Sequence, residues 1–286
     1  MIYSVSLYSF SSAYKSGALT PLTAIAAAKD IGFGGVELCD FNFDSQMPKA
    51  EYAKLIKDEC ERQGMAVTNL AVGADFINND PAAELKRVKE MIDIAAMLKS
   101  PRLRTDMASY KRGVSFSQAL PALIKAAGEL SRYGQDKGVE ILTENHGIFL
   151  QDSQRLVELW QGVGHPNFGL LCDIGNFACA DETVQNAVAI VAPFARYVHA
   201  KDFYVRPANG TDPGRGFFRS RAGRYLRGAI VGQGDLDIPA CLYALARAGY
   251  NGDIAIEFEG LEDCMAGLEA GLLNLKRMAK AQGLDK

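Results

Sequence analysis

Four short segments of this sequence each close on side chains that ligate metals or move protons. They are Ile141-Leu-Thr-Glu144-Asn-His146, Leu170-Leu-Cys-Asp173-Ile-Gly-Asn176, Tyr197-Val-His199-Ala-Lys201 and Ile254-Ala-Ile-Glu257-Phe-Glu259. An apolar run precedes the polar residues in each, so each reads as a buried strand that delivers them at its C-terminal end. Side chains alternate between the two faces of a strand. With Ile254, Ile256 and Phe258 on one face, Glu257 and Glu259 fall on the other. The same parity separates Leu170 and Cys172 from Asp173, and Val198 and Ala200 from His199. Carboxylates that converge in a partly dry space repel one another unless a cation sits among them. Glu, Asp and one neutral His make a mostly oxygen donor set, which suits one divalent ion: Mn²⁺, Mg²⁺ or Co²⁺, with Zn²⁺ admissible.

To converge, these strands must stand side by side in one sheet. Candidate strands run over Ile2–Leu7, Gly35–Leu38, Ala66–Val72, Arg102–Thr105, Val139–Glu144, Phe168–Asp173, Tyr197–Ala200 and Asp253–Phe258. Helical periodicity covers Thr20–Ile31, Pro48–Gln63, Pro81–Lys99, Ser117–Lys137, Ser153–Val163, Thr183–Ala192, Ile238–Ala248 and Leu261–Lys280. Strand–helix alternation implies right-handed crossovers and a parallel sheet. Eight such units in a chain of 286 residues predict a closed (β/α)₈ TIM barrel, with residues 1–286 as a single domain. A doubly wound open sheet would place a G-x-G-x-x-G turn after the first strand. Ser9-Phe-Ser-Ser-Ala-Tyr14 stands there instead. Thr20-Pro21 and Asp80-Pro81 read as N-caps followed by proline at the first helical position, and Gly32, Gly64, Gly138 and Gly249 as helix stops. The longest stretch read as irregular is Phe203–Asp237.

The segments T-E-N-H-G, C-D-I-G-N, H-A-K-D and G-Y-N-G-x-x-x-x-E resemble the sugar phosphate isomerase/epimerase family, the xylose isomerase-like barrels. So does Gly232-Gln-Gly-Asp-Leu-Asp-Ile-Pro239, and the resemblance runs from Gly35-Val-Glu37 to Glu257. Ketohexose 3-epimerases of that family bind one divalent cation on strands five to eight. The resemblance therefore implies Glu144, Asp173, His199 and Glu257 as metal ligands, with Gly249-Tyr-Asn-Gly252 selecting Glu257 over Glu259. It also implies a mechanism. The ion chelates a substrate carbonyl and its neighbouring hydroxyl, while Glu144 and Glu257 remove and return a proton through an enediolate. Two positions depart from those epimerases: Asn176 stands where they carry a second histidine, and Val205 beside Arg206 where they carry an arginine.

Around this set, His146, Lys201, Glu37, Arg104, Asn176 and Arg206 are the expected substrate contacts. His146 reads equally as a catalytic group or as a satisfied histidine behind the site. Glu37 orients a ligand or forms a structural ion pair. Arg104 and Asp106 bind substrate hydroxyls or pair with each other. Lys201 is placed to neutralise developing negative charge. Tyr8, Phe10 and Tyr14 form an apolar wall for a sugar or belong to the core. The 205–228 loop holds Arg206, Arg215, Arg219, Arg221, Arg224 and Arg227, with Asp212 its lone acid. Guanidinium forks suit phosphate or carboxylate. The loop therefore reads as a binder of an anionic sugar, a docking surface for a neighbouring subunit, or a solvated basic loop.

Composition narrows the classes. A net charge of −3 opposes a general nucleic-acid binder, and three histidines are too few for the trinuclear zinc site of the repair endonucleases that share this barrel. The N-terminus lacks the basic and apolar regions of a secretory signal, and no apolar run spans a bilayer. Six scattered cysteines without a C-x-x-C pair read as reduced, mostly buried thiols of a cytoplasmic protein. The expectation is a metal-dependent sugar or sugar-phosphate isomerase or epimerase, a homodimer or homotetramer acting on a small carbohydrate. The alternative is a lyase on the same barrel, of inosose or dehydroshikimate dehydratase type or cleaving C-glycosides.

Overall fold

The computed structural model describes residues 1–43 and 46–285, so positions 44, 45 and 286 of the expected domain lie outside the described residues. Eight parallel strands close into a barrel. They are β1 (Tyr3–Ser6), β2 (Gly35–Cys39), β3 (Ala66–Val72), β4 (Arg102–Thr105), β5 (Glu140–Glu144), β6 (Phe168–Asp173), β7 (Ala195–Ala200) and a last strand, β11 (Asp253–Ile256), which pairs with both β7 and β1. The expected (β/α)₈ TIM barrel is therefore the fold. Its helices are α2 (Pro21–Ile31), α3 (Lys49–Gln63), α4 (Pro81–Met97), α5 (Phe116–Lys137), α7 (Ser153–Val163), α9 (Val184–Val191), α10 (Ile238–Arg247) and α11 (Cys264–Ala281). Three one-turn pieces sit on the loops: α1 (Ser11–Ser16), α6 (Gly147–Leu150) and α8 (Asn176–Cys179).

Local chemistry explains where the helices start and stop. The Thr20 hydroxyl accepts from the Thr23 N–H, and Asp80 accepts from the Ala83 N–H at 2.8 Å. Each satisfies one of the free donors of a helix start, as their sequence context predicts. Gly32, Gly64 and Gly138 cap α2, α3 and α5 in the left-handed conformation. Outward side chains such as Val5, Leu38, Ile141, Cys172, Val198 and Ile254 are buried against the helices, and together with them form the main core. Burial of this kind contributes about 25 cal/mol per Å² of apolar surface. Cys172 is thus a packed thiol, and all six cysteines are free, five of them buried. No helix among the described residues is long and apolar enough to cross a membrane.

The barrel interior is layered, and the layering sets the height of the chemistry. Leu142, Leu171, Tyr197 and Ala255 form a separate buried plug across β5, β6, β7 and β11. The Tyr197 hydroxyl satisfies itself with Ser4 at 2.9 Å and Thr68 at 2.8 Å. Two residues further along each of these four chain segments stand Glu144, Asp173, His199 and Glu257. Because side chains repeat every second residue on one face, a strand that puts its plug residue inside must also point the next polar residue into the mouth.

One expectation needs correction. The stretch from Phe203 to Asp237 is not irregular. It carries a three-stranded antiparallel sheet of β8 (Asp202–Arg206), β9 (Phe218–Arg219) and β10 (Tyr225–Ala229). Its strands are short and interrupted by Arg and Gly, which hides the alternation in the sequence. Asp202 ties this sheet to the following loop. Its carboxylate accepts from the N–H groups of Phe203 (2.8 Å), Gly232 (2.9 Å), Gly234 (2.9 Å) and Leu236 (3.3 Å). Removing a buried charged acceptor strands its donors at about 1–3 kcal/mol. The variant Asp202→Ala is expected to lose about 2–3 kcal/mol of stability in urea denaturation. An unchanged midpoint would contradict this anchoring role.

Candidate metal centre and active site

At the C-terminal mouth of the barrel, one ligand atom from each of Glu144, Asp173, His199 and Glu257 comes within 4.8 Å of all the others. His199 is the centre of the group. Its Nδ1 lies 3.6 Å from Asp173 Oδ2, 3.7 Å from Glu257 Oε2 and 3.8 Å from Glu144 Oε1. Its other nitrogen, Nε2, lies 2.8 Å from Glu37 Oε2, and the Asn69 amide donates to the same oxygen at 2.8 Å. Glu37 thereby favours a proton on Nε2, and Nδ1 faces the cluster. Metal-ligating histidines are oriented by such a partner.

The donor set fits a divalent cation. His199 Nδ1 is buried with no hydrogen-bond partner among the described residues, and Asp173 Oδ2, also buried, has only its ion pair with Lys201 at 3.1 Å. Buried polar atoms are nearly always paired, so this pair of atoms between two more carboxylates calls for a positive charge. The surroundings already draw such charge. Burial opposes the cationic form of His199, yet Glu37 and Glu257 raise it well above the ordinary imidazole range. Lys201 is likewise opposed by burial but raised well above the usual ammonium range by Asp173, Glu257 and Glu259. Burial pushes Asp173 up, but Lys201 and His199 outweigh it and hold the carboxyl below the usual carboxylate range. Glu144 is raised, chiefly by burial.

The remaining expected residues fall into three groups. Lys201, Asn176 and Glu37 stand against the cluster. Lys201 Nζ lies 2.5 Å from Glu257 Oε2, 3.1 Å from Asp173 Oδ2 and 3.3 Å from Glu259 Oε1. Asn176 donates to Glu144 Oε1 at 2.9 Å, accepts from Lys201 at 3.2 Å, and its backbone N–H donates to Asp173 Oδ1 at 2.9 Å. Arg104 and His146 line the mouth. Arg104 bonds Glu144 through Nε and pairs with Asp106 at 3.2 Å. His146, half exposed, meets Asp106 at 3.0 Å through Nδ1. Burial lowers the basicity of His146, but Asp106 outweighs it and favours the protonated ring.

Arg206 is the exception. It is exposed, pairs with Asp235 at 2.8 Å, and does not line the cavity over the cluster. The expectation that it touches substrate fails there, because β8 turns away from the barrel mouth into its own sheet. Most of the other loop arginines are also tied down. Arg219 lies over the Tyr225 ring at 3.9 Å, and Arg221, Arg224 and Arg227 pair with Asp152, Asp181 and Glu262.

A cavity of about 330 Å³ opens over His199, Lys201 and Glu257. Its wall includes Tyr8, Asp40 and Phe41, with the Tyr8 and Phe41 rings edge-to-face at 6.1 Å. Phe10 is fully buried and belongs to the core. Cys39, Asp40 and Phe41 were not legible as site residues. Their only signal is their place at the end of the second strand, and the loop that turns them inward is held by an Asp40–Gly73 hydrogen bond of 3.1 Å across two strands.

A barrel closed around a mouth of acidic and imidazole ligands defines a class, and the sequence agrees with it. Residues 25–278 match the family model of the xylose isomerase-like TIM barrel, and the chain belongs to that family. No curated protein matches it by sequence. Among solved structures it is similar to D-psicose 3-epimerase with D-tagatose from Clostridium cellulolyticum, at 14% identity and a TM-score of 0.74 over 98% of this chain and 99% of that one. It is also similar to the probable 3-DHS dehydratase of petrobactin synthesis from Bacillus anthracis, at 16% identity and a TM-score of 0.72 over 96% and 99%. A third is a xylose isomerase-like TIM barrel protein from Mycobacterium smegmatis in complex with magnesium, at 16% identity and a TM-score of 0.71 over 92% and 89%. At these identities the likeness establishes the shared fold.

Because Glu37 orients His199, Glu37→Gln is expected to weaken Mn²⁺ binding about 10–100-fold in calorimetric titration, with folding retained. Wild-type affinity in that variant would show that Glu37 is only a structural partner.

Proposed function

We propose that this protein is a metal-dependent enzyme that moves a proton on the carbon beside a sugar carbonyl, as an isomerase or epimerase of a monosaccharide or related polyol. The observation that carries the reading is the unequal setting of two glutamates within one ligand cluster. Glu257 lines the open cavity. Glu144 is almost fully buried and is fixed by Asn176 and Arg104. A divalent ion bound by Glu144, Asp173, His199 and Glu257 supplies Lewis acidity to a carbonyl and stabilises negative charge developing beside it.

The chain's own groups account for the rest. Glu257 reaches the cavity and takes the proton from the substrate carbon. Glu144, fixed by Asn176 and Arg104, returns a proton from its own side. Lys201, in contact with Glu257, offsets the charge of the carboxylates as substrate charge develops. Tyr8 and Phe41 give the cavity an aromatic wall.

A second reading is elimination of water on the same barrel. It is favoured by His146, which lines the cavity and whose protonated form is favoured by Asp106 at 3.0 Å. It is also favoured by Asn176 and Val205, which stand where the epimerases carry a histidine and an arginine. Proton abstraction becomes dehydration when a hydroxyl leaves from the adjacent carbon and His146 protonates it.

Incubation in D₂O with ketohexoses, and separately with 2-keto-inositols, distinguishes the two. Isomerisation yields epimers or aldoses that have taken up deuterium, and elimination releases water and leaves an unsaturated product. In either case Glu257→Gln is expected to lower kcat by about 10²–10⁴-fold with Mn²⁺ binding weakened. His146→Asn is expected to abolish dehydration and to spare epimerisation. Full turnover by Glu257→Gln would overturn the assignment.

A further inference from the structure

A second cavity, of about 450 Å³, adjoins the first and shares Tyr8 and Glu259 with it as a common wall. Its outer end is basic. Lys15 at the end of α1 and Arg215 in the loop before β9 both line it, with Ser11, Ser12 and Phe218 between them. Among the described residues, Lys15 and Arg215 are exposed and neither pairs with a carboxylate, whereas Arg206, Arg221, Arg224 and Arg227 of the same excursion each do. The acid in this wall is Glu259, and Lys201 offsets its charge from the other side at 3.3 Å.

The placement of Arg215 is built into the backbone. Asp212 accepts from the Gly214 N–H at 2.8 Å and sets the turn. Gly216 follows with φ +89°, and a Cβ there would lie 2.7 Å from Leu261 Cδ1. At Gly228 a Cβ would lie 2.4 Å from the Glu259 backbone. The antiparallel sheet is thus pressed against the loop after β11, which sets the backbone of Arg215 at the rim of the cavity with its side chain exposed.

We propose that this cavity receives the terminal oxyanion of the substrate, a phosphate or carboxylate, while the carbonyl end lies at the Glu144–Asp173–His199–Glu257 cluster. The inference rests on the metal-site reading above and adds the substrate class: an anionic sugar long enough to pass Tyr8 and Glu259. Guanidinium and ammonium groups recognise such oxyanions by charge-assisted hydrogen bonds. Both are solvent-facing side chains, so their removal leaves the barrel intact.

Calorimetric titration of the Mn²⁺-loaded protein with D-fructose, D-fructose 6-phosphate and D-fructuronate tests this. One of the charged probes is expected to bind about tenfold tighter than D-fructose, and which one does so identifies the oxyanion. Arg215→Gln and Lys15→Gln are expected to remove most of that advantage and to leave D-fructose affinity unchanged. Equal binding of all three probes, or an advantage that survives both substitutions, would overturn the proposal. Failure of the metal-site reading is separately visible: D-fructose would then bind equally well to wild type with and without Mn²⁺ and to Asp173→Ala.

Discussion

The mouth of this barrel is governed by a shortage of positive charge. Glu37, Glu144, Asp173 and Glu257 crowd around His199, four of the five nearly or fully buried in one low-dielectric space, and Glu259 reaches Lys201 beside them. Like charges so close destabilise the fold unless compensated. Lys201 and Arg104 supply part of the compensation, Asn176 adds hydrogen bonds, and Glu37 raises the basicity of His199. Within the four-residue set, His199 Nδ1 is buried with no hydrogen-bond partner among the described residues, and Asp173 Oδ2 has only its ion pair with Lys201 at 3.1 Å. The cluster has the donors and the spacing to hold a divalent cation, which is the role we propose for it.

The barrel makes the crowding mechanically simple. Each of four neighbouring strands needs only one inward plug residue and one polar residue two positions later. Tyr197, Leu171, Leu142 and Ala255 fill the barrel below and keep water out from that side. The Tyr197–Ser4–Thr68 hydrogen bonds and the Arg102–Asp253 ion pair at 3.1 Å close the layers beneath. Stability is invested at one end of the cylinder, and the other end is left free for loops that set substrate shape.

Much of this was legible in the sequence because period-2 alternation fixes faces and strand ends fix height. Glu144, Asp173, His199 and Glu257 needed no more than that, together with the resemblance that chose Glu257 over Glu259. Thr20, Asp80 and the capping glycines announced the helices by local chemistry alone. The excursion after β7 was not legible. Strands of two to five residues carry too little alternation, and their pairing depends on Asp202, whose four backbone partners lie up to 34 residues away. The same long-range folding decides which arginines are spent on ion pairs and which face a cavity, so Arg206 and Arg215 look alike in sequence and differ in space. Asp40 and Phe41 escaped notice for a related reason: their orientation is set by a contact to Gly73, on the neighbouring strand's loop.

Direct metal analysis of the purified protein against Asp173→Ala tests the central claim. The account predicts one tightly held divalent ion per wild-type chain and its loss from the variant, with the barrel still folded by circular dichroism. Equal metal content in the two proteins, or none that either will take up, would contradict it.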